Sequence, residues 1–135
     1  MKFFLLVCSI IILFASCSSS NNPSAGYEQK KTSLSDMERN APLKFLKVIS
    51  SHHTNIIQQM VIDGEISNSA TLISYKDVEL RIKYLDKDGA VLDREKQIIY
   101  DSVGPNATMS FKIKTKVAGG TKAVTVDIVK ATPTN

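Results

Sequence analysis

The stretch Val78-Glu79-Leu80-Arg81-Ile82-Lys83-Tyr84 alternates apolar and charged residues without a break. A β-strand turns successive side chains to opposite faces, so this pattern places one face in a core and the other in water. The same period of two recurs in residues 60–66, 109–114 and 124–128, and no window shows apolar residues at a convincing helical spacing. The sequence therefore predicts an all-β fold.

Turn-forming residues separate the alternating segments. The sequence Asp86-Lys87-Asp88-Gly89 reads as a short hairpin loop in which Gly89 takes a positive φ. Similar Gly-, Asn- and Ser-containing stretches fall at 67–71, 104–108 and 118–121. Antiparallel strands that each have one apolar face bury it best between two sheets. We therefore predict an antiparallel β-sandwich of six strands, with a seventh if a long strand is divided, at about 43–54, 57–67, 72–85, 90–100, 107–117 and 122–131.

The N-terminus has the three parts of a secretory signal. Lys2 is followed by the apolar run Phe3–Phe14 and by the small residues Ala15 and Ser16. A membrane-spanning helix needs about 20 apolar residues, so a cleaved signal fits this run better. The sequence Phe14-Ala15-Ser16-Cys17 resembles the bacterial lipobox, in which a small residue precedes a cysteine that receives diacylglycerol. Cys8 is the rival position, but the apolar run continues beyond it.

Three regions follow from this interpretation. Residues 1–16 are predicted to be a lipoprotein signal peptide, residues 17–41 the lipidated Cys17 with a flexible tether, and residues 42–135 the β-sandwich domain. Two or more acyl chains would hold the protein stably on a bilayer. The region after Cys17 is rich in Ser, Asn and charged residues without period, and within it "SLSDMER" (33–39) could form one helical turn. Since Cys17 is then the one remaining cysteine, stability must come from the core rather than from a disulfide.

The domain resembles the FxLYD family of bacterial and archaeal envelope proteins over about residues 60–115. The matching residues are a Gly-x-Ile-x-Asn strand end, a Tyr-Leu-Asp segment with a following glycine, and a Gly-Pro pair before a phenylalanine: Gly64, Ile66, Asn68, Tyr84, Leu85, Asp86, Gly89, Gly104, Pro105 and Phe111. Ile82 stands where the family has Phe, and Tyr84-Leu85 invert the family's Leu-Tyr order. The resemblance implies an immunoglobulin-like β-sandwich, typically on lipoproteins or other exported proteins, without catalytic residues to carry over.

Residues suited to catalysis or metal binding are few. His52 and His53 are adjacent, so on a strand they point to opposite faces and at most one could serve any one site. No Gly-x-Ser-x-Gly motif is present, and the 86–89 segment lacks the spacing of a calcium-binding loop. We predict no catalytic residues, no metal and no cofactor, although metal or glycan binding by His52 or His53 stays an alternative.

Surface residues suggest contacts rather than chemistry. Lys112, Lys114 and Lys116 form a basic row on one strand face, and Val61 is an apolar residue on a face that is otherwise polar. These four are candidate partner contacts. Two interpretations of the row stay open: protection of an edge strand against aggregation, and a site for an anionic partner or lipid headgroups. Asp101-Ser102-Val103 resembles an O-glycosylation motif of Bacteroidetes envelope proteins, which makes Ser102 a candidate modification site.

The overall charge of +4, or +3 without Lys2, is spread along the chain and does not indicate nucleic-acid binding. The leading hypothesis is a non-enzymatic β-sandwich, anchored by acylated Cys17 to the bilayer of a bacterial envelope, that binds or scaffolds another envelope protein. The residues after Cys17 are Ser and Asn, whereas the surface-export signal of Bacteroidetes lipoproteins is an acidic run. We therefore expect the protein in the outer membrane with its domain facing the periplasm. The alternative is a lipoprotein that binds a small ligand, either a metal or a glycan.

Overall fold

The computed structural model describes residues 23–117 and 119–134. Two three-stranded antiparallel sheets pack face to face: sheet A has the order β1-β2-β5, and sheet B has the order β4-β3-β6. The strands are β1 (Leu46–Thr54), β2 (Met60–Asn68), β3 (Ser74–Leu85), β4 (Val91–Ile99), β5 (Thr108–Thr115) and β6 (Ala123–Thr134). The predicted all-β fold is confirmed, and each of the six strands begins and ends within three residues of its predicted position.

The core lies between the two central strands, β2 and β3. Ile62 and Ile66 from β2 and Leu80 and Ile82 from β3 have no exposed surface, whereas Arg81 on the opposite face is exposed. Burial of each of these aliphatic side chains stabilises the fold by about 1.5–3 kcal/mol. The alternation in residues 78–84 therefore corresponds to a half-buried central strand, as the sequence predicts.

The predicted hairpin loop joins β3 to β4. Gly89 has φ +82°, and the Asp86 N–H donates to Ala90 O at 2.9 Å. The Asp86 side chain also accepts hydrogen bonds from the backbone N–H groups of Asp88 and Ala90. Both features that the sequence predicts for this loop, a tight turn and a positive φ at Gly89, are confirmed.

An 18-residue helix, α1 (Pro23–Asn40), occupies most of the segment that the sequence predicts to be a flexible tether. The prediction is wrong for residues 23–40, since the expected single turn is the end of a longer helix. The helix stops before Ala41-Pro42, because a proline disfavours the helical conformation of the residue before it. Residues 1–22, which include the predicted signal peptide and Cys17, lie outside the described part of the chain. Among the described residues, no helix combines the length and hydropathy that a bilayer crossing requires.

Gly64 allows an aromatic ring to lie close to the backbone of sheet A. Phe111 pairs with Gly64 across β2 and β5, and a Cβ atom on residue 64 would overlap the Phe111 ring. The same Cβ would lie 2.7 Å from Ile49 O, a backbone atom that cannot rotate away. The missing side chain at Gly64 therefore permits this close packing.

We expect Gly64→Ala to destabilise the protein by about 1–3 kcal/mol, because either the ring or strand β1 must shift. Chemical denaturation measures this change. Gly104→Ala is the matched control: the added Cβ has only Ala107 as a neighbour, at 3.9 Å, so we expect between no change and a gain of about 1 kcal/mol. Equal stability of the two variants would show that the packing of the Phe111 ring does not require a glycine at position 64.

Candidate functional site

The predicted basic row lies on the outer face of sheet A. Lys112, Lys114 and Lys116 are all exposed, as the alternation along β5 predicts. Lys112 Nζ forms an ion pair with Asp63 Oδ1 at 3.0 Å, and His53 Nδ1 lies 3.5 Å from the other oxygen of Asp63. Lys114 and Lys116 form no ion pair within the described residues. The charge of Lys112 is therefore neutralised by an ion pair, and the charges of Lys114 and Lys116 are not.

Val61 is buried, with only 3% of its surface exposed, and is not accessible to a partner. It faces outward from β2, but it is flanked across the strands by the larger side chains of His53 and Lys114. The prediction that Val61 is an accessible contact is wrong. Sequence alternation gives the face on which a residue lies, but not how far its neighbours cover it.

The two histidines point to opposite sides of β1, as predicted. His53 lies opposite Val61 on the outer face and His52 opposite Ile62 on the other face, and both are exposed. Among the side chains that the structure describes, no three of His, Cys, Asp or Glu lie close enough together to hold a metal ion. His53 with Asp63 provides at most two potential ligands in an exposed position.

An open groove of about 650 Å³ crosses the outer face of sheet A beside the Asp63–Lys112 pair. Ile49 lines it with 57% of its surface exposed. Ser51 lies opposite Asp63 in the strand register, but no hydrogen bond joins Ser51 to His53 in the described structure. The groove combines apolar, anionic and cationic side chains, and its nine residues are Ile49, Ser50, Ser51, Asp63, Gly64, Glu65, Ser110, Phe111 and Lys112.

Ser102, the candidate glycosylation site, is exposed in the loop between β4 and β5. A transferase could reach it in the folded protein. Its modification stays a prediction.

Glu38, near the end of α1, is a buried carboxylate that sequence analysis did not identify. Only 1% of the residue is exposed. One oxygen accepts hydrogen bonds from Thr71 N (2.8 Å) and Thr71 Oγ1 (3.0 Å), and the other accepts from Leu72 N (2.9 Å) and Ile73 N (3.0 Å). Burial alone would raise the pKa of this carboxyl group, but the four hydrogen bonds outweigh burial and leave the pKa below its ordinary value. We call this contact the Glu38 latch, since it fixes the end of α1 to the loop between β2 and β3.

Tyr75 strengthens the latch from the sandwich side. Its hydroxyl group donates to Glu38 O at 2.8 Å. Burial, together with the nearby Glu38 charge, raises the pKa of Tyr75 to about 12, so the hydroxyl stays protonated and able to donate. The last turn of α1 is therefore part of the folded body.

Asn68 joins two loops at the same end of the molecule. The side-chain Nδ2 lies within hydrogen-bond distance of Ile73 O (2.9 Å), Gly104 O (2.9 Å) and Val103 O (3.3 Å), and Oδ1 accepts from Ala70 N at 2.8 Å. The bond to Ala70 N caps the turn that follows β2, and the contacts to residues 103 and 104 extend the role of Asn68 across the sandwich.

Glu95 connects the two sheets at the opposite end. It accepts hydrogen bonds from Tyr84 Oη (2.8 Å), Thr115 Oγ1 (2.9 Å) and Gln97 Nε2 (2.6 Å). Burial opposes its charged form, but these three donors lower the pKa of Glu95 below its ordinary value. Burial raises the pKa of Tyr84 to about 12. Among the described residues, every buried side-chain nitrogen or oxygen has a hydrogen-bond partner, so Glu38, Asn68 and Glu95 are occupied by structural contacts.

Comparisons with known proteins give one similarity. Neither a family model nor a curated protein matches this chain. Among solved structures, the chain is similar to the X-ray structure of Northeast Structural Genomics Consortium target SoR45, with 10% sequence identity and a TM-score of 0.36. The alignment covers 65% of this chain and 81% of that chain. At this level the similarity carries no argument about fold family or function.

Proposed function

We propose that this chain is a non-enzymatic lipoprotein of the bacterial envelope whose immunoglobulin-like β-sandwich binds or scaffolds another envelope protein. Acylated Cys17 anchors it in the outer membrane, and the domain faces the periplasm. The observation that carries the proposal is the short segment between Cys17 and α1: only five residues, 18–22, separate the candidate lipid site from a helix that is latched to the domain.

The Glu38 latch supports a scaffold role. Because the end of α1 is bonded to the loop 71–73, the anchor is connected to the sandwich through a helix instead of a long coil. An 18-residue helix is about 27 Å long. The domain is therefore held at a more defined distance from the lipid than a flexible tether over residues 18–41 would allow.

The strand order supports the immunoglobulin-like assignment and, with it, the resemblance to the FxLYD family. If β1 to β6 correspond to strands A, B, C, C′, E and F, the orders β1-β2-β5 and β4-β3-β6 become A-B-E and C′-C-F. These neighbours are those of immunoglobulin-type sandwiches, here without a final strand G.

The groove on the outer face of sheet A supports a partner contact. It presents the exposed Ile49 beside the Asp63–Lys112 pair, which gives an apolar contact flanked by both charges. Such a combination suits a protein surface, because apolar area provides affinity while charged groups select the partner. Of the predicted contact residues, Lys112 belongs to this groove.

The anchor is tested by Cys17→Ser, with Cys8→Ser as the matched control. Because a hydroxyl group cannot receive the thioether-linked diacylglycerol, we expect Cys17→Ser to lose fatty-acid labelling and to leave the membrane pellet. Cys8→Ser should keep both properties. A Cys17→Ser protein that stays labelled and membrane-bound would contradict the proposed anchor.

The partner surface is tested with a photo-crosslinking amino acid at position 49 in intact cells. Ile98 is the matched control, since it is also an exposed isoleucine (42%) but lies on β4 of the other sheet. We expect a discrete crosslinked product from position 49 and none from position 98. Identical products, or none from either position, would argue against a partner on the groove.

The small-ligand alternative is tested by zinc and glycan titration of the wild type and of a His53→Ala variant. Binding by the wild type that the variant loses would favour this alternative.

A further inference from the structure

The turn between β1 and β2 carries two isoleucines at its apex. The turn comprises residues 55–59, and we call it the hairpin tip. Ile56 is 101% exposed and Ile57 is 68% exposed. Turns usually carry polar residues at such positions, and adjacent exposed aliphatic side chains at an apex indicate a contact that the isolated chain does not make.

The hairpin tip is held in this conformation by Asn55. Its Oδ1 accepts hydrogen bonds from Ile57 N (3.1 Å) and Gln59 N (2.9 Å), and its Nδ2 donates to Gln59 Oε1 at 3.3 Å. The Asn55 N–H also donates to Gln59 O at 2.9 Å, which closes the turn. The two isoleucines therefore project from a closed turn.

The exposed side chains around the tip are basic, while the half-buried Glu95 carboxylate accepts a hydrogen bond from Thr115 at its base. Met60, the first residue of β2, pairs with Thr115, so Lys114 and Lys116 lie at the base of the tip. We call these two exposed lysines the basic collar. From His52 to Ile62 the sequence has no acidic residue, and Asp63 is occupied by Lys112. This arrangement matches the layers of an anionic bilayer. The apolar apex corresponds to the hydrocarbon layer, and the lysines behind it correspond to the layer of phosphates.

We propose that the hairpin tip inserts into an anionic phospholipid bilayer, with Ile56 and Ile57 below the headgroups and the basic collar against the phosphates. A protein partner fits this apex less well, because two side chains offer much less than the ~800 Å² per partner of a stable protein interface. The contact is separate from the groove, which keeps the partner surface free.

The tip and the Glu38 latch lie at opposite ends of sheet A, since β2 runs from Met60 at the tip to Asn68 beside the latched loop. A nine-residue strand is about 30 Å long. Helix α1, at about 27 Å, and five further residues of up to about 17 Å together exceed this length. By length alone, the helix and this segment can therefore cover the distance from the latched end of sheet A to the tip.

Tryptophan fluorescence can test this insertion, because the chain contains no Trp. We would reconstitute the full-length Ile57→Trp protein, purified from membranes, into vesicles of phosphatidylcholine with or without phosphatidylglycerol. In the anionic vesicles we expect Trp emission to shift to shorter wavelength and to be quenched by brominated acyl chains. The control is Ile98→Trp, whose emission should stay that of an exposed residue in both vesicles. The emission reports the surroundings of residue 57 itself, so anchoring through Cys17 with the tip still in water would give no shift.

The collar is tested in the same Ile57→Trp background. Lys114→Gln with Lys116→Gln should abolish the shift, as should salt of about 0.5 M, whereas Lys130→Gln on β6 should leave it unchanged. An unshifted emission in the anionic vesicles would overturn the proposal. An equal shift in both vesicle types would also overturn it. So would a shift of the residue 57 emission only when envelope proteins are added, which would identify the tip as a protein contact.

Discussion

Asn68→Asp is expected to destabilise the protein by about 3–5 kcal/mol at neutral pH, although the two side chains have almost the same shape. The Asn68 amide faces three carbonyl oxygens, and only 3% of the residue is exposed. A carboxylate cannot donate to these oxygens, so the substitution would bury a negative charge among acceptors. Chemical denaturation at pH 7 measures the loss.

Two further observations make this prediction specific. Acidification should reduce the deficit, because a protonated Asp can donate one hydrogen bond and carries no charge. The matched control is Asn55→Asp, since Asn55 mainly accepts hydrogen bonds through Oδ1, from Ile57 N and Gln59 N, and a carboxylate keeps both. We expect the control to change stability by no more than about 0.5 kcal/mol. Equal effects at the two positions would show that the stabilising effect of Asn68 does not depend on the hydrogen bonds that its Nδ2 donates.

Glu38→Ala is expected to destabilise the protein by about 2–4 kcal/mol, because three backbone N–H groups and the Thr71 hydroxyl lose their acceptor. Hydrogen exchange should also show faster exchange of the Leu72 and Ile73 amides, which are bonded only through this carboxylate in the described structure. The control is Asp36→Ala, an exposed acidic residue on the same helix, for which we expect at most about 0.5 kcal/mol. Slow exchange of these amides in Glu38→Ala would contradict the latch.

The latch should also depend on pH in a defined direction. The pKa of Glu38 is lowered in the folded state, so its stabilising effect is fully present above the pKa of the unfolded chain and is lost as the pH falls through the folded value. The difference in stability between wild type and Glu38→Gln should therefore be constant from about pH 7 to 5 and should shrink below about pH 4. A difference that grows on acidification would be inconsistent with a lowered pKa.

The two ends of sheet A differ in their contacts. At one end the Glu38 latch and Asn68 tie α1, the 71–73 loop and the 103–104 segment together. At the other end the hairpin tip projects without partners from the rest of the described chain. If both proposals hold, the protein is bound to lipid through Cys17 and the tip, and the groove on the outer face of sheet A, between the tip and the latched end, is left for a second protein.

The sequence by itself determined the strands and their turns. The alternation in residues 78–84 predicted a half-buried strand, and Asp86-Lys87-Asp88-Gly89 predicted its hairpin, because both depend on residues that are neighbours in the chain. The opposite orientations of His52 and His53 follow from the same local rule. Each of these expectations agrees with the structure.

Only the tertiary structure decided the roles of Glu38, Asn68 and Val61. Glu38 lies in a helix without an apolar stripe, and its partners are 33–35 residues away in the chain. Asn68 reaches Gly104, 36 residues away, and Val61 is enclosed by neighbours from two other strands. A period of two is a property of a single strand and can be read locally. The partner of a buried polar group is set by which loops the packed sheets bring together, and no local pattern contains that information.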